Sequence, residues 1–305
     1  MTVHITPGMP ESLSPDTVAV HPYQALRDAL INKVGSLLGS DNLSDRSAIK
    51  VPYVAEEENL DWVEEGAEIP ETKTTIQQLT VPSRKIATLK TISNEAARNT
   101  NGQITHDLLI EQSTRSIIAK ADAAVFGTTN DKGLTGLAAL EGTTDAGTLS
   151  GNLDPFVDAV ATIAAEGGDE ANIRIVCHPK AWATIAKLKD TKTGNRPLVD
   201  TISATSPFLI PNTAGLPNVD GTTNLAGTTE NVRTLNGIPL FMSRHVPENS
   251  IIMLDSPNLG VGASPIRIDM SDQYAFNRDS ISLRATYRIG WKVFNPKRIV
   301  KITTA

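Results

Sequence analysis

Between Ile104 and Phe126 the chain reads ITHDLLIEQSTRSIIAKADAAVF, and its apolar positions recur at helical steps. Ile110, Ile117, Ala121 and Ala124 follow one another at steps of seven, four and three, and Leu109, Ile118 and Val125 widen the stripe. Glu111, Gln112, Arg115, Lys120 and Asp122 fall between them and make a wet face. Asn101 and Gly102 break the chain ahead of the pattern, and Asp107 puts negative charge in the first turn, where the helix dipole favours it. Gly127 offers the left-handed conformation that ends helices. At about 1.5 Å per residue the rod is roughly 35 Å long. With only one oily stripe, it needs a sheet or another subunit laid along it.

The rest of the chain can be placed around that rod. Residues 1–22 are polar and carry Pro7, Pro10, Pro15 and Pro22, a composition that predicts an extended arm. Tyr23 to Leu38 has a weak helical pattern through Leu26, Leu30, Val34 and Leu37 that stops at Gly39. It reads as a short surface helix or as part of an arm that orders against a neighbouring subunit. From Ser47 the texture changes. AIKVPYVA is strand-like, and TVPSRKIATLKTIS sets β-branched residues among polar ones. The pattern predicts a long two-stranded excursion over 53–93 with its tip around Gly66 to Thr75, kept at an edge by Pro70 and Pro82.

Beyond the rod, a Gly- and Thr-rich connector leads to a second amphipathic helix over Leu153 to Glu166, closed by Gly167 and Gly168. IRIVCHP reads as a buried strand and AWATIAKLKD as a third helix, an α/β order. Thr191 to Asn231 is nearly all turn chemistry, with Pro197, Pro207, Pro211 and Pro217. VRTLNGIPLFMSRHVP reads as strand, Asn236-Gly237 turn and strand, and ENSIIMLDS as a further short strand. GVGAS at Gly260 to Ser264 reads as a turn, and ISLRATYRIGWKVFNPKRIVKITTA as two long closing strands. The expected arrangement is an α/β domain over about 150–265 and a second domain of the long helix with the closing strands. The arm and the ribbon protrude.

Composition narrows the function. The 305 residues carry a net charge of −6, so no general attraction for nucleic acid or an anionic membrane is expected. Cys177 is the one cysteine, which leaves no intrachain disulfide and makes a reducing cytoplasm the expected compartment. No basic start with an apolar core marks a signal peptide, and no apolar run reaches the roughly 18 residues of a membrane span. A soluble protein is expected. Charge is lopsided along the ribbon: Glu56, Glu57, Glu58, Asp61, Glu64, Glu65, Glu68 and Glu71 come without a basic residue among them. The returning arm carries Lys73, Arg84, Lys85 and Lys90, and the closing strands carry Arg284, Arg288, Lys292, Lys297, Arg298 and Lys301. Such runs read either as a solvated surface or as a face awaiting a partner. An isolated two-stranded ribbon is marginal in water, which favours its resting on something.

Catalytic chemistry is hard to find. His4, His21, His106, His178 and His245 are scattered without metal-ligand spacing. Cys177 and His178 are adjacent strand residues, so their side chains point to opposite faces and cannot form a dyad. No GxSxG elbow and no GxxxxGK[ST] phosphate loop occurs, and the acidic run lacks a calcium-loop pattern. No enzyme, cofactor or metal is implied.

The order of segments carries a resemblance. WVEEGAEIPETKTTIQQLTVPSRKIATLKTISNEAARNT, a long helix ending in FG, and KGLTGL come first. HPKAWATIAKLKDTKTGNRPL, NGIPLFMSRHVPENSIIMLD and ISLRATYRIGWKVFNPKRIV follow in order. Together, over roughly residues 50 to 300, they resemble the major capsid proteins of tailed double-stranded DNA phages, which share the Hong Kong 97-like fold. That α+β fold implies an N-terminal arm (1–52) and an extended hairpin loop (53–93) that lies across a neighbouring subunit. It implies a peripheral domain (94–149, with its spine helix at 104–126), an axial domain (150–265), and closing strands of the peripheral domain (266–305). It also implies pentamers and hexamers forming an icosahedral shell that encloses DNA without reading its sequence. The shell would assemble in the host cytoplasm with a portal, a separate scaffolding protein and a possible decoration protein. An encapsulin-type compartment shares the fold and is the alternative.

The inter-subunit contacts expected on that footing are Trp62, Glu64, Glu65, Glu68, Glu71, Lys73, Arg84, Lys85, Arg284, Arg288 and Lys292. The acidic loop residues would approach Arg284, Arg288 or Lys292 of an adjacent subunit, and Trp62 would anchor the loop or pack on its own ribbon. Some relatives weld their shells with a lysine–asparagine isopeptide bond promoted by a glutamate. Here those asparagine and glutamate positions hold Asp279 and Thr286, so no such bond is expected.

Overall fold

The computed structural model describes residues 29–38, 48–54, 62–63, 65–66, 76–98, 102–131, 133–190, 196–198, 205–210, 228–264 and 266–304. Residues 1–28 of the expected arm, and Glu64, Glu68, Glu71 and Lys73 of the expected loop, lie outside them. The described chain opens with α1 (Leu30–Val34), β1 (Ser36–Leu37), β2 (Ala48–Val54), β3 (Ile76–Pro82) and β4 (Arg84–Ser93). Next come α2 (Asn94–Arg98), α3 (Gly102–Phe126), β5 (Asn130–Asp131), β6 (Leu134–Thr135) and β7 (Thr144–Leu149). The middle of the chain holds α4 (Asp154–Ala165), β8 (Ile173–Cys177), α5 (Pro179–Ala186), β9 (Lys189–Asp190) and β10 (Arg196–Pro197). Then follow β11 (Thr205–Ile210), β12 (Thr228–Leu235), β13 (Ile238–Met242) and β14 (Ser250–Asp255). The last are β15 (Leu259–Ala263), β16 (Arg267–Ala275), β17 (Ser280–Val293) and β18 (Ile299–Thr304).

The long helix is α3, and its stripe has the cover it needs. Ile117, Ala121, Val125 and Phe126 are buried in one cluster with Ala285, Tyr287, Ile289 and Trp291 of β17. The sheet under the helix has five strands, ordered β1-β15-β17-β16, with β4 on the other flank of β17. A second sheet has seven, in the order β11-β12-β13-β8-β14-β18-β7. One face of its central strands, through Val176, Phe241, Ile252 and Leu254, joins the α3 cluster. The other face, through Ile175, Cys177, Ile251 and Met253, packs with Phe156, Ala159 and Ile163 of α4 and with Ile185 of α5. Strands buried on both faces carry unbroken apolar runs, which is why IRIVC and SIIMLD read as they do. The Asn236-Gly237 turn between β12 and β13 has positive φ at both residues, 52° and 82°, as a tight hairpin turn requires.

Several segments fall elsewhere than the sequence pattern places them. Asp122 was expected on the wet face and is buried. Its carboxylate accepts the backbone N–H groups of Leu30 (3.3 Å) and Ile31 (3.4 Å) at the start of α1. Donors that helix starts leave open are thereby satisfied by a negative charge at the positive end of the helix. Leu30, Ile31 and Val34 are buried in the α3 cluster, so residues 29–38 belong to this subunit's own core and not to a protruding arm.

The ribbon pairs β2 with β3, from Ala48↔Pro82 to Val54↔Ile76. The expected return arm divides at Ser83. Beyond it β4 leaves the ribbon and lies along β17, from Arg84↔Ile289 to Ser93↔Ser280. The pull is apolar: Ile92 is buried, and Ile86 packs against the α3 cluster. Gly290 permits the approach, because a Cβ there would stand 2.1 Å from the Pro82 carbonyl oxygen.

Two further corrections concern the closing strands and the glycine-rich GVGAS. Only β16 and β17 close the five-stranded sheet. A 3-10 turn at Pro296–Arg298 ends β17's run, and Asn295 caps it by accepting the Lys297 N–H at 3.0 Å. β18 then enters the seven-stranded sheet between β14 and β7, with Ile299, Val300 and Ile302 fully buried. Likewise 144–149 pairs parallel with β18, so sheet membership crosses the expected boundaries at 149 and 265. GVGAS is mostly strand: β15 pairs with both β1 and β17, and a Cβ at Gly260 would strike Leu38 and Phe294. In the proline-rich 191–231 stretch, TSPFLI forms the edge strand β11, where Pro207 is tolerated.

Gly290→Ala tests the root of the ribbon. Overpacking β17 against Pro82 is expected to lower unfolding stability by about 1–3 kcal/mol, read as a reduced denaturant midpoint at constant slope.

Candidate assembly surface

α3 covers one face of the five-stranded sheet; on the reverse face, among the described residues, Lys85, Leu89, Arg267, Asp269 and Arg284 are exposed, Thr286 and Arg288 are half-buried, and Thr91 and Ser282 are buried. In antiparallel sheets directly opposed residues share a face, so the register fixes what that reverse face displays. One row across β4, β17 and β16 holds Leu89, Arg284 and Asp269; the next holds Ala87, Thr286 and Arg267. A third pairs Lys85 with Arg288, and on the far side Thr91 and Ser282 join their hydroxyls at 3.1 Å. Alternate residues on a strand are about 7 Å apart. Four cations and one carboxylate therefore occupy three adjacent rows.

The expected basic residues do not behave alike. Arg284 donates from Nη2 to Asp269 Oδ2 at 2.7 Å, with both side chains largely exposed. Among the described residues Lys85, Arg267 and Arg288 have no acidic partner. Lys292 faces Gly260 on the same side, about 14 Å beyond Arg288. Arg84 pairs with Ile289 and so falls in the alternate register. Lys90 turns toward the helix, where Nζ donates to Gln112 Oε1 at 2.7 Å, and burial lowers its pKa. Arg267, Asp269 and Leu89 were missed in the sequence. RID alternates charge around an apolar residue, but nothing local says which strand it lies beside.

On the ribbon side, Trp62 is fully exposed at 103%, with no packing of its own ribbon against it among the described residues. Glu65 and Gly66 form an exposed turn beside it. Thr286 stands between Ala87 and Arg267, and Asp279 sits in the left-handed turn that ends the β16–β17 hairpin. Asp279 accepts from the Asn94 side-chain amide, and its carbonyl accepts the Asn94 N–H at 2.8 Å.

The remaining chemistry is structural. Burial pushes the Cys177 thiol up to about 12, so it stays protonated. His178 caps α5, its Nδ1 accepting the Lys180 N–H at 3.1 Å. Among the described residues no group of three or more His, Cys, Asp or Glu could hold a metal, and no helix is long and apolar enough to cross a membrane.

This arrangement, a helix-backed sheet with an outlying ribbon joined to a covered α/β sheet, recurs in capsid subunits. Residues 36–304 match the Phage capsid family, and the chain belongs to it. The family is one of phage capsid proteins, not of encapsulins. Its members are structural subunits of virions that assemble with copies of themselves. The fold is also that of solved capsids. A structure reported as the capsid of an empty GTA particle matches at TM-score 0.67 and 17% identity, over 91% of this chain and 90% of that one. Gordonia phage Cozz matches at 0.62 and 14%, over 100% of this chain and 99% of that one. Mycobacterium phage Bobi matches at 0.61 and 15%, over 91% and 90%. No curated protein sequence matches the chain.

Exposed or half-buried cations with no acidic partner among the described residues carry little of the fold. The triple variant Lys85→Glu, Arg267→Glu, Arg288→Glu is expected to leave the unassembled subunit's stability within about 0.5 kcal/mol per site, measured by denaturant unfolding.

Proposed function

We propose that the chain is the major capsid protein of a phage-type particle, a non-enzymatic tile that forms pentamers and hexamers of an icosahedral shell around double-stranded DNA. On this reading the ribbon around 53–82 is the extended loop, α3 is the spine helix, and the two sheets are the cores of the peripheral and axial domains. The shell forms in the host cytoplasm with a portal, a separate scaffolding protein and, in some particles, a decoration protein.

The observation that carries the reading is the uncovered basic face. Lys85 and Arg288 stand directly opposite each other in the register, and like charges so placed repel. They are tolerated best when an anion lies over them. The chain's own acidic run, Glu56 to Glu71, supplies one on a neighbouring copy. We assign Lys85, Arg267 and Arg288 as the cations that meet it, with Trp62 and Leu89 as the apolar part of the contact. Exposed ion pairs contribute at most about 1 kcal/mol each and are screened by salt. They therefore set register and partner choice, and apolar burial supplies cohesion.

Two measurements test this. Glu64→Lys, Glu65→Lys, Glu68→Lys and the basic triple variant should each block particle formation in electron micrographs. Combining both sets should restore particles, and normal shells from either set alone would remove the contact. The second concerns Thr286, where no carboxylate stands to deprotonate a lysine amine. Boiled, denatured particles are expected to run as a single band of monomer mass, and a ladder of covalent oligomers would contradict that.

A further inference from the structure

We propose that residues 29–38 are a separable clip, latched to the body by the Asp122 carboxylate. The segment has little stability of its own. A helix of five residues does not persist alone in water, and β1 contributes only two rungs, Ser36↔Gly260 and Leu37↔Val261. One further bond runs from Leu38 N–H to the Val261 carbonyl at 2.7 Å. The buried side chains of Ala29, Leu30, Ile31 and Val34 and the cap add to these. That cap does not come from the clip: Ala29 stands at the N-cap position and has no side-chain acceptor. It comes from near the C-terminal end of α3, 92 residues away, at 3.3 Å to Leu30 N–H.

Asp122 is itself buried, at 7% exposure, beside the Tyr287 ring. A carboxylate in such a place is costly unless donors meet it. The two α1 amides are among the donors it meets, and they tie the clip to the carboxylate. The clip shares its apolar cluster with Val176 of β8 and with Ile252 and Leu254 of β14, but both sheets also have packing and pairing of their own. The seven-stranded sheet packs through α4 and α5 on the side away from α1, and β17 holds β4 and β16 over its own length. Segments joined to a body by few contacts open as local units before global unfolding. Asp122 is a positioning residue for the clip. The inference does not rest on the shell reading.

The test is hydrogen exchange on the unassembled full-length chain, comparing the parent with Asp122→Ala, Asp122→Asn and Ile31→Ala. Asp122→Ala should speed exchange at residues 30–38 by tenfold or more and leave β8 and β14 unchanged. Asp122→Asn keeps one acceptor oxygen and should fall between that variant and the parent. Ile31→Ala, which weakens the clip from its own side, should loosen the same residues. Unchanged exchange at 30–38 would overturn the latch. Loosening of β8 and β14 in step with the clip would overturn its separability. Should Asp122→Ala fail to fold, Asp122→Asn and Ile31→Ala decide between the same outcomes.

Discussion

The apolar residues of a helix in water need cover, and from Ile117 to Phe126 it is β17 that covers α3, through Ala285, Tyr287, Ile289 and Trp291. The rest of the five-stranded sheet follows from that demand. A strand of 14 residues presents two long edges of unpaired backbone groups. β16 and β4 occupy them over the first ten residues, and β15 takes the remainder. Because side chains alternate, turning Ala285, Tyr287 and Ile289 toward the helix sends Arg284, Thr286 and Arg288 the other way. The charged face is therefore the geometric complement of the core.

Much of this was legible in the sequence. Periodicity located α3 and α4 to within a few residues, because a 3.6-residue stripe over three turns or more is hard to mistake. IRIVC could be read as a buried strand, ENSIIMLDS as a short strand, and Asn236-Gly237 as a hairpin turn, from local chemistry alone. Pairing was not legible, since register is decided by residues far apart in the chain. β4 reads as the second arm of a ribbon until β17 is placed beside it. β18 reads as a continuation of β17 until Pro296 and the Asn295 cap redirect it. Asp122 lies between Ala121 and Ala123 with Ile118 and Phe126 one turn to either side, and only α1's arrival shows what its buried carboxylate accepts. Of the expected contact residues, Lys85 and Arg288 meet in one row, while Arg284 is drawn to Asp269 and Arg84 falls out of register. The partner strand that separates these cases, β16, gave no local sign of its position.

Cohesion inside the subunit and contact outside it rest on different physics. The two sheets share one continuous apolar cluster, with Val176 and Ile252 on one side and Trp291 and Val293 on the other. Polar pins cross the same junction. Lys301 Nζ donates to the carbonyls of Ala138 and Leu140 at 2.9 and 2.8 Å, and burial lowers its pKa. Asn258 and Asn295 exchange bonds of 2.7 Å where the chain passes from one sheet to the other. Buried amides and ammonium groups satisfied in this way fix relative orientation, because any rotation would leave them without partners. The exposed basic rows carry no such penalty and are free to meet another molecule.

The position of β18 between β14 and β7 bears on how the molecule is made. The ribosome delivers β7, β8 and β14 first, and the strand that must slot between two of them emerges after all the others. Until it arrives, β7 has no neighbour on that flank and Ile251 and Met253 lack part of their cover. A growing polypeptide thus cannot complete the seven-stranded sheet early. Incomplete translation products would keep an open, adhesive gap that chaperones and proteases can recognise, and finished subunits would not.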